Sequence, residues 1–304
     1  MNEKPNPGLV DYTLLVVLGA MFGIAFMWTK VAVDEVPPVT IAFSRIAIAA
    51  VLIHAVMVVT GQNLKSIAVH WKLILLVGLF GNVLPFSLVA WGQGRVDAGL
   101  TAILMAVMPL ITLVLAHFFT QDEKLNAYRV VGFVLGLFGV AVLIGFDKLA
   151  TLGEETIRQY AIMGAACCYG IHAILSKSLT GLPRRAVSSG VLIASSIALL
   201  PFSLFIDQPW TLSISGTSWL MLVLLGIFPT GIGTLMLFAI IQRQGAGFLS
   251  QINFLVPVFG VFWAILLLGE TLPPNAILAL VIILAGVAIA RIKPKQKLNT
   301  GVAQ

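Results

Sequence analysis

The chain has 304 residues with a formal net charge of +6; 59% of the residues are hydrophobic and only 10% are charged. Soluble domains carry about 25% charged residues, so this composition, with a mean hydropathy of +1.04, excludes an ordinary soluble enzyme and a disordered protein. The two cysteines are adjacent, at Cys167 and Cys168, which excludes a disulfide-stapled secreted module.

Ten apolar stretches follow one another along the chain, each long enough to cross a bilayer. About 20 apolar residues cross the hydrocarbon core as an α-helix, and they must be helical because lipid offers the backbone no hydrogen-bond partners. The predicted spans are Tyr12–Thr29, Pro38–Thr60, Leu73–Gln93, Ala98–Gln121, Ala127–Phe146, Gln159–Ser176, Ala186–Ile206, Thr217–Gln242, Ala246–Gly269 and Asn275–Ala290. The sequence therefore predicts an all-α polytopic membrane protein with ten transmembrane helices.

The placement of Lys and Arg predicts the orientation, because cytoplasmic links are enriched in both residues. With the N-terminus in the cytoplasm, four of the 18 Lys and Arg residues fall in outside links and one, Arg45, lies within a span. The thirteen on the inside are Lys4, Lys65, Lys72, Lys124, Arg129, Lys177, Arg184, Arg185, Arg243, Arg291, Lys293, Lys295 and Lys297. We expect both termini in the cytoplasm of an inner-membrane protein, and we attribute the basic tail to this orientation and not to a nucleic-acid partner.

The two halves of the chain resemble each other at a nearly constant offset, which is the mark of an internal repeat. The matched segments, at offsets of 147 or 148, include Phe22-Gly23-Ile24 with Tyr169-Gly170-Ile171, Gly78 with Gly226, Pro109 with Pro257, and Asp122 with Glu270. Each predicted repeat, 1–148 and 149–304, holds five spans. Because five is odd, the second repeat enters the membrane inverted. Inverted repeats are typical of transporters that open one central site to either side; a duplicated scaffold without transport is the alternative.

Motifs in both halves resemble those of the drug/metabolite transporter superfamily, in its EamA-domain branch. Phe22-Gly23-x-x-Phe26-x-x-x-Lys30 resembles the first-helix signature of that family. The family's fourth-helix signature is resembled by Ala98-Gly99-Leu100-Thr101-Ala102 with Pro109-Leu110 and Asp122-Glu123. The same motif recurs in the ninth helix as Ala246-Gly247-Phe248 with Pro257 and Gly269-Glu270-Thr271-Leu272. Within the family, the chain is most similar to YddG-type amino-acid exporters. The resemblance implies a central cavity lined by helices 1–4 and 6–9, with helices 5 and 10 outside as supports.

The spans lack the groups that other membrane chemistries need. All twelve acidic residues fall in links or at span ends, whereas a proton-driven cation exporter usually needs an intramembrane acid. The sequence has no phosphate-binding Gly-x-x-x-x-Gly-Lys-Ser/Thr loop, no zinc-ligand spacing and no deep acid to orient a catalytic histidine. We therefore expect no enzymatic activity, no metal and no cofactor.

Neutral and aromatic residues within the spans are the candidates for substrate binding. An apolar, aromatic pocket with a few polar anchors suits an uncharged or zwitterionic small molecule, and helix ends with side-chain amides can hold an amino acid. The candidates are Phe26, Asn82, Phe86, Trp91, Met105, Tyr169, His172, Thr230, Thr234, Gln251, Asn253 and Trp263. The alternative for the aromatic residues is packing or interfacial anchoring, and for His172 a hydrogen-bonded buried position.

Arg45 lies about two turns inside the second predicted span. One interpretation is that it snorkels to the interface or pairs with Asp34 or Glu35. A contact with the carboxylate of a substrate is the second interpretation. Proline removes a backbone hydrogen bond within a helix, so the predicted hinges or kinks are Pro85, Pro109, Pro229 and Pro257.

Together these patterns predict a secondary transporter that exports amino acids, including aromatic and neutral ones, or related small metabolites by alternating access. Its expected partners are a small-molecule substrate and the lipid bilayer. A monomer is compatible with the sequence, which does not determine the oligomeric state. The lack of a buried acid favours a facilitator, with proton coupling through His172 as the alternative. A sugar-phosphate or nucleotide-sugar exchanger, a lipid flippase and a non-transport membrane protein are also compatible with the sequence.

Overall fold

The computed structural model describes residues 6–119, 125–145 and 153–292, and every regular element within these ranges is helical. The helices are α1 Leu9–Val33, α2 Pro38–Val59, α3 Leu64–Gln93, α4 Ala98–Phe119, α5 Ala127–Ile144, α6 Glu154–Lys177, α7 Arg184–Asp207, α8 Gly216–Gln244, α9 Ala246–Leu268 and α10 Pro274–Ala290. Eight of them are long and apolar enough to cross a membrane; α6 is not in this set, and α10 is apolar but has only 17 residues. Outside the described ranges lie Lys4, Asp122, Glu123, Lys124, Lys293, Lys295 and Lys297.

The predicted spans agree with these helices to within a few residues at most ends. The largest difference is at α3, which begins with a 3₁₀ segment, Leu64–His70, instead of at Leu73. The Asn63 side chain caps this segment by accepting a hydrogen bond from the Ser66 N–H (3.3 Å). Polar residues such as these lower the mean hydropathy of the segment, so a hydropathy profile does not identify it as part of a span. Only the apolar side of the segment packs on the bundle.

Two helices contain a widened turn at repeat-equivalent positions. α3 has a π-helical turn over Leu79–Val83, and α8 has one over Gly226–Ile232. The offset of 148 that relates the two halves also relates Asn82 of the first turn to Thr230 of the second. Turns of this kind interrupt the regular helical hydrogen bonding and are frequent at functional sites. We refer to these segments as the two wide turns.

The four predicted hinge prolines occupy different local structures. Pro85 follows the α3 wide turn in the first turn of regular helix, and Pro229 lies inside the α8 wide turn. α4 is interrupted at residues 106–107, immediately before the segment that carries Pro109, whereas the interruption of α9 lies about two turns before Pro257. The two repeat-equivalent prolines therefore differ in their relation to the helix break.

Eight helices pack as a closed ring, and the remaining two lie outside it. Going round the ring, the contacting neighbours are α1, α9, α4, α6, α3, α7, α2 and α8, which returns to α1. Exchanging α1–α4 with α6–α9 leaves this order unchanged, as two similar halves require. α5 and α10 pack against each other and against α4, with Gly132 and Gly286 so close that neither tolerates a Cβ.

Carboxylates close one end of the bundle, which we call the Glu270 end. Each of three carboxylates accepts hydrogen bonds at the N-terminus of a helix in the other half, where the helix dipole favours negative charge. Glu270 accepts from the N–H groups of Ala98 (2.8 Å) and Gly99 (2.9 Å). Asp207 accepts from the N–H and the hydroxyl of Thr40 (2.8 Å each). Glu35 accepts from the Ser215 N–H (2.9 Å). Hydrogen bonds from the Ser218 hydroxyl and from Ser215 lower the pKa of Glu35.

At the opposite end, which we call the Asp11 end, fewer hydrogen bonds join the halves among the described residues. The Asp11 carboxylate accepts hydrogen bonds from Arg243 Nε (2.6 Å) and Gln244 Nε2 (2.8 Å). The Ala186 N–H donates to Gln62 Oε1 (3.3 Å), which joins the end of α2 to the start of α7. The helix N-terminus of α7 is thus met by a neutral amide, whereas that of α2 at the Glu270 end is met by a carboxylate.

Candidate functional site

Arg45 of α2 lies inside the ring, with only 7% of its surface exposed. Its Nε donates to the Thr230 hydroxyl of α8 (3.2 Å), and its guanidinium carbon lies 3.8 Å from the ring centroid of Phe86 on α3. Tyr169 of α6 is near enough to interact with it electrostatically. The Thr234 hydroxyl donates to the Thr230 carbonyl (2.6 Å), next to this contact. We call Arg45, Phe86, Tyr169 and Thr230 the Arg45 cluster, which joins four helices from both halves.

The guanidinium of Arg45 lacks a counter-charge in the part of the chain that the structure describes. Among the described residues, no carboxylate lies within 4.0 Å of it. The sequence interpretation that pairs it with Asp34 or Glu35 does not hold in this conformation, because Glu35 binds the N-terminus of α8 and Asp34 is exposed at the end of α1. The aromatic face of Phe86 compensates part of the buried charge. An unpaired buried cation is otherwise costly.

Asn82 of the α3 wide turn also contacts a neighbouring ring helix. Its Nδ2 donates to the Ser195 hydroxyl of α7 (3.2 Å), whereas Thr230 of the α8 wide turn accepts from Arg45 of α2. In both cases a wide turn meets a polar side chain of the neighbouring ring helix. Asn82 precedes Phe86 by four residues, which places both on the same face of α3.

Two predicted residues serve contacts outside the Arg45 cluster. Trp91 lies at the Glu270 end, 36% exposed, with the Arg158 guanidinium carbon 4.0 Å from its ring centroid. The Trp263 indole N–H donates to the Ala20 carbonyl (3.2 Å) and so joins α9 to α1. Both contacts resemble the packing and anchoring roles that the sequence leaves open for aromatic residues.

Four more predicted residues lie elsewhere on the ring helices. Phe26 packs at the crossing of α1 and α9, where its ring approaches Gly260. Met105 packs on the apolar core around α4. Near the start of α9, Gln251 is exposed and Asn253 is half-buried.

His172 is held by hydrogen bonds on both ring nitrogens. Its Nδ1 lies 3.1 Å from the Val77 carbonyl and its Nε2 lies 3.4 Å from the Ser176 hydroxyl. A carbonyl can only accept, so these partners assign the proton to Nδ1. The ring also packs so closely on Gly81 that a Cβ there would overlap it. These contacts match the hydrogen-bonded buried position that the sequence offers as the alternative for His172.

The sequence reasoning missed two buried polar residues, Gln93 and Ser195. Gln93 is fully buried; its Nε2 donates to the Phe26 carbonyl and its backbone carbonyl accepts from Lys30 Nζ (both 2.9 Å), so it ties α1 to α3. Gln93 lies at the end of a predicted span, where a polar residue is expected at the membrane boundary, so its sequence position does not indicate that it is buried. Ser195 lies in a serine-rich part of α7, and this polarity within a span is the signal that identifies it.

The sequence pattern of the EamA-like transporter family matches residues 11–145 and, a second time, residues 158–292. The chain belongs to the EamA-like transporter family. This confirms the resemblance carried by the helix 1, 4 and 9 motifs and the expectation of an integral membrane protein.

Relatives with full-length similarity are named as transporters. The uncharacterized transporter YoaV of Bacillus subtilis is 25% identical over 285 residues, which cover 92% of this chain and 94% of YoaV. A probable amino-acid metabolite efflux pump of Salmonella typhimurium is 28% identical over 292 residues, with 92% and 94% coverage. A protein of the same description from Escherichia coli is 27% identical with the same coverage.

A solved crystal structure also matches this EamA-like transporter. The two chains superpose with a TM-score of 0.66 over 93% of this chain and 97% of the matched chain, at 19% sequence identity. At this identity the likeness concerns the fold alone.

Proposed function

We propose that this EamA-like transporter moves amino acids or related small metabolites across the membrane by alternating access through its eight-helix ring. The observation that carries the proposal is the buried Arg45 guanidinium, which has no carboxylate partner among the described residues. A carboxylate brought by the substrate supplies the missing charge. The relatives described as probable amino-acid metabolite efflux pumps support this substrate class.

A single guanidinium favours a monoanionic ligand over a phosphate ester. Phosphate dianions call for several cations at the site, whereas Arg45 is surrounded by Phe86, Tyr169 and Thr230. A carboxylate matches the two parallel N–H groups of one guanidinium. A sugar phosphate or a nucleotide sugar is therefore less well supported as the substrate than an amino acid.

In this proposal all ten helices cross the inner membrane as two inverted halves, residues 1–148 and 149–304, with both termini in the cytoplasm. Three observations support it: the family pattern matches twice, the ring order is unchanged when the halves are exchanged, and Lys and Arg accumulate at the Asp11 end. The Asp11 end then faces the cytoplasm and the Glu270 end faces outward.

Transport requires the Glu270 end to open. In the described conformation Glu270, Asp207 and Glu35 hold helix N-termini of the opposite half, so the two halves are tied on the outward side. Release of the substrate outward breaks these hydrogen bonds as the halves rock about the site. The candidate hinges for this movement are Pro85, Pro109, Pro229 and Pro257, and the candidate path-lining residues are Phe26, Met105, Thr234, Gln251 and Asn253.

Counterflow in proteoliposomes tests the proposed function. Vesicles preloaded with unlabelled amino acids, sugar phosphates or lipophilic cations are diluted into the corresponding labelled compound, with protein-free vesicles as the control. We expect exchange of neutral or aromatic amino acids at equal pH on both sides. Exchange confined to sugar phosphates or cations would overturn the substrate class, and strict dependence on a pH gradient would overturn the facilitator mechanism.

A further inference from the structure

Each of the two wide turns carries a polar residue that contacts a neighbouring helix of the ring. One carries Thr230, which binds Arg45, and the other carries Asn82, which binds Ser195. We infer that these turns form a two-ended recognition site, in which Arg45 binds an anionic group and Asn82 Oδ1 binds an ammonium group of the same molecule. This inference rests on the proposed function and assigns its specificity to particular atoms.

Contacts on Arg45 leave one edge of the guanidinium for a ligand. Phe86 covers a face of the group, and Thr230 accepts from Nε while its own proton goes to the Leu225 carbonyl (2.8 Å). In the described part of the chain, the two Nη atoms have no hydrogen-bond partner. The free edge carries two N–H groups in the geometry that binds a carboxylate through both oxygens.

The orientation of the Asn82 amide follows from its partners. The Ser195 hydroxyl donates to the Val191 carbonyl (2.8 Å), so it accepts from Asn82, and the nitrogen of the amide must face Ser195. The amide oxygen is left without a donor among the described residues. This end of the site therefore offers a free acceptor beside the second N–H of the amide, and the acceptor suits an ammonium group.

The spacing of the two ends fits a compact zwitterion. Asn82 and Phe86 are separated by four residues on α3, which is about 6 Å along the axis, and Phe86 is in contact with Arg45. A molecule with its carboxylate and ammonium on the same carbon can reach both ends through hydrogen bonds of about 2.9 Å each. The variable side chain of such a molecule then lies against Tyr169 and the apolar ring interior, an environment that suits neutral and aromatic side chains.

Competition with derivatized amino acids tests the inference on the wild-type protein. The probe is the labelled amino acid with the fastest counterflow, and the competitors are its unlabelled free form, its methyl ester and its N-acetyl form. Hydrogen bonds to charged groups contribute about 1.5–3 kcal/mol, so we expect each derivative to compete about 10- to 160-fold more weakly than the free form. Equal competition by all three forms overturns the two-ended site while leaving amino-acid transport intact, whereas absence of counterflow with every amino acid removes the proposed function itself.

Variants assign each end to its residue. Arg45→Gln should make the free form and the methyl ester compete equally, and Asn82→Leu should do the same for the free and N-acetyl forms. If either variant does not elute as a folded protein, Arg45→Lys and Asn82→Asp replace Arg45→Gln and Asn82→Leu. The carboxylate introduced by Asn82→Asp lies near Arg45 and can pair with it. Asn82→Asp should therefore abolish discrimination against the methyl ester and keep discrimination against the N-acetyl form.

Matched controls use an arginine and an asparagine away from the wide turns. Arg95→Gln removes an exposed arginine paired with Glu154, and Asn275→Leu removes an asparagine that bonds the end of α5. In both controls, the relative inhibition of counterflow by the three competitors should be the same as in the wild-type protein. Loss of discrimination in the controls, or its retention in folded Arg45→Gln and Asn82→Leu, contradicts the assignment.

Discussion

Single polar residues inside the bundle differ in whether the protein itself completes their hydrogen bonds. His172 has partners for both ring nitrogens, whereas Gln93 joins two helices through its Nε2 and leaves its Oε1 without a partner among the described residues. Arg45 and Asn82 likewise each use one group on the protein and leave another group free among the described residues. An unpaired polar atom alone therefore does not identify a ligand site; Arg45 differs from Gln93 because its free group carries a charge.

His172→Gln should preserve transport. A glutamine amide can donate to the Val77 carbonyl and accept from Ser176, as the imidazole does. We expect counterflow within about twofold of wild type, with the same rate at equal pH and under a pH gradient. His172→Ala leaves the Val77 carbonyl without a donor and should destabilise the protein by about 1–3 kcal/mol, measured as a lower midpoint of thermal unfolding.

The exposed His70 provides the control for these substitutions, since His70→Ala should change neither measurement. A folded His172→Gln protein with normal thermal stability but no counterflow would make His172 a transport residue and would contradict the structural role described for it.

At the scale of helices, the ends are secured by partners from the other half of the chain. Glu270, Asp207 and Glu35 meet the N-termini of α4, α2 and α8, where unpaired N–H groups and the helix dipole favour a carboxylate. The pKa of Glu35 is lowered by its serine partners, so its cap is complete above the ordinary value of 4.5 and is lost as the pH falls through the depressed value.

Glu270→Ala should loosen the start of α4. The Ala98 and Gly99 N–H groups lose their acceptor, and loss of a cap costs about 0.5–2 kcal/mol. Hydrogen exchange of a peptide that begins α4 should therefore accelerate by about 2- to 30-fold. Asp34→Ala, which removes an exposed carboxylate at the same end, should leave this peptide unchanged. Unaltered exchange in Glu270→Ala would mean that the carboxylate does not hold the helix.

At the scale of the whole molecule, pairing between the halves builds the ring. Every neighbouring pair of the ring joins one helix from each half, and the order is the same from either half. α5 and α10 remain outside and seal against each other through Gly132 and Gly286. Because the ring contacts and the α5–α10 contact all cross between the halves, a movement of one half against the other alters both.

Cysteine labelling tests the inverted orientation of the halves. The α1–α2 link and the α6–α7 link are repeat equivalents, so Asp34→Cys and Thr180→Cys should lie on opposite faces of the membrane. In a background in which Cys167 and Cys168 are replaced by Ala, an impermeant maleimide should label Asp34→Cys in intact cells and Thr180→Cys only after permeabilisation. Labelling of both positions from the same side contradicts the inversion.

The sequence predicted most of the helix boundaries but few of the contacts at the site. Hydropathy is a local property, so α2 begins at Pro38 and α4 at Ala98 as expected. The wide turn at Asn82 was not predicted, because no local residue pattern specifies a π-helical turn. Trp91 and Trp263 are as apolar as Phe86 in sequence, yet only Phe86 packs on Arg45.

The amino-acid order by itself determined that the chain is helical, that it belongs in a membrane and that it is built from two related halves, since apolar length and repeated motifs are carried by consecutive residues. The tertiary structure alone decided which buried polar groups are satisfied. Arg45 meets a threonine 185 positions away, and that meeting depends on how helices rotate, cross and widen around one another. These rotations are set by packing across the ring, which no segment of the chain contains on its own.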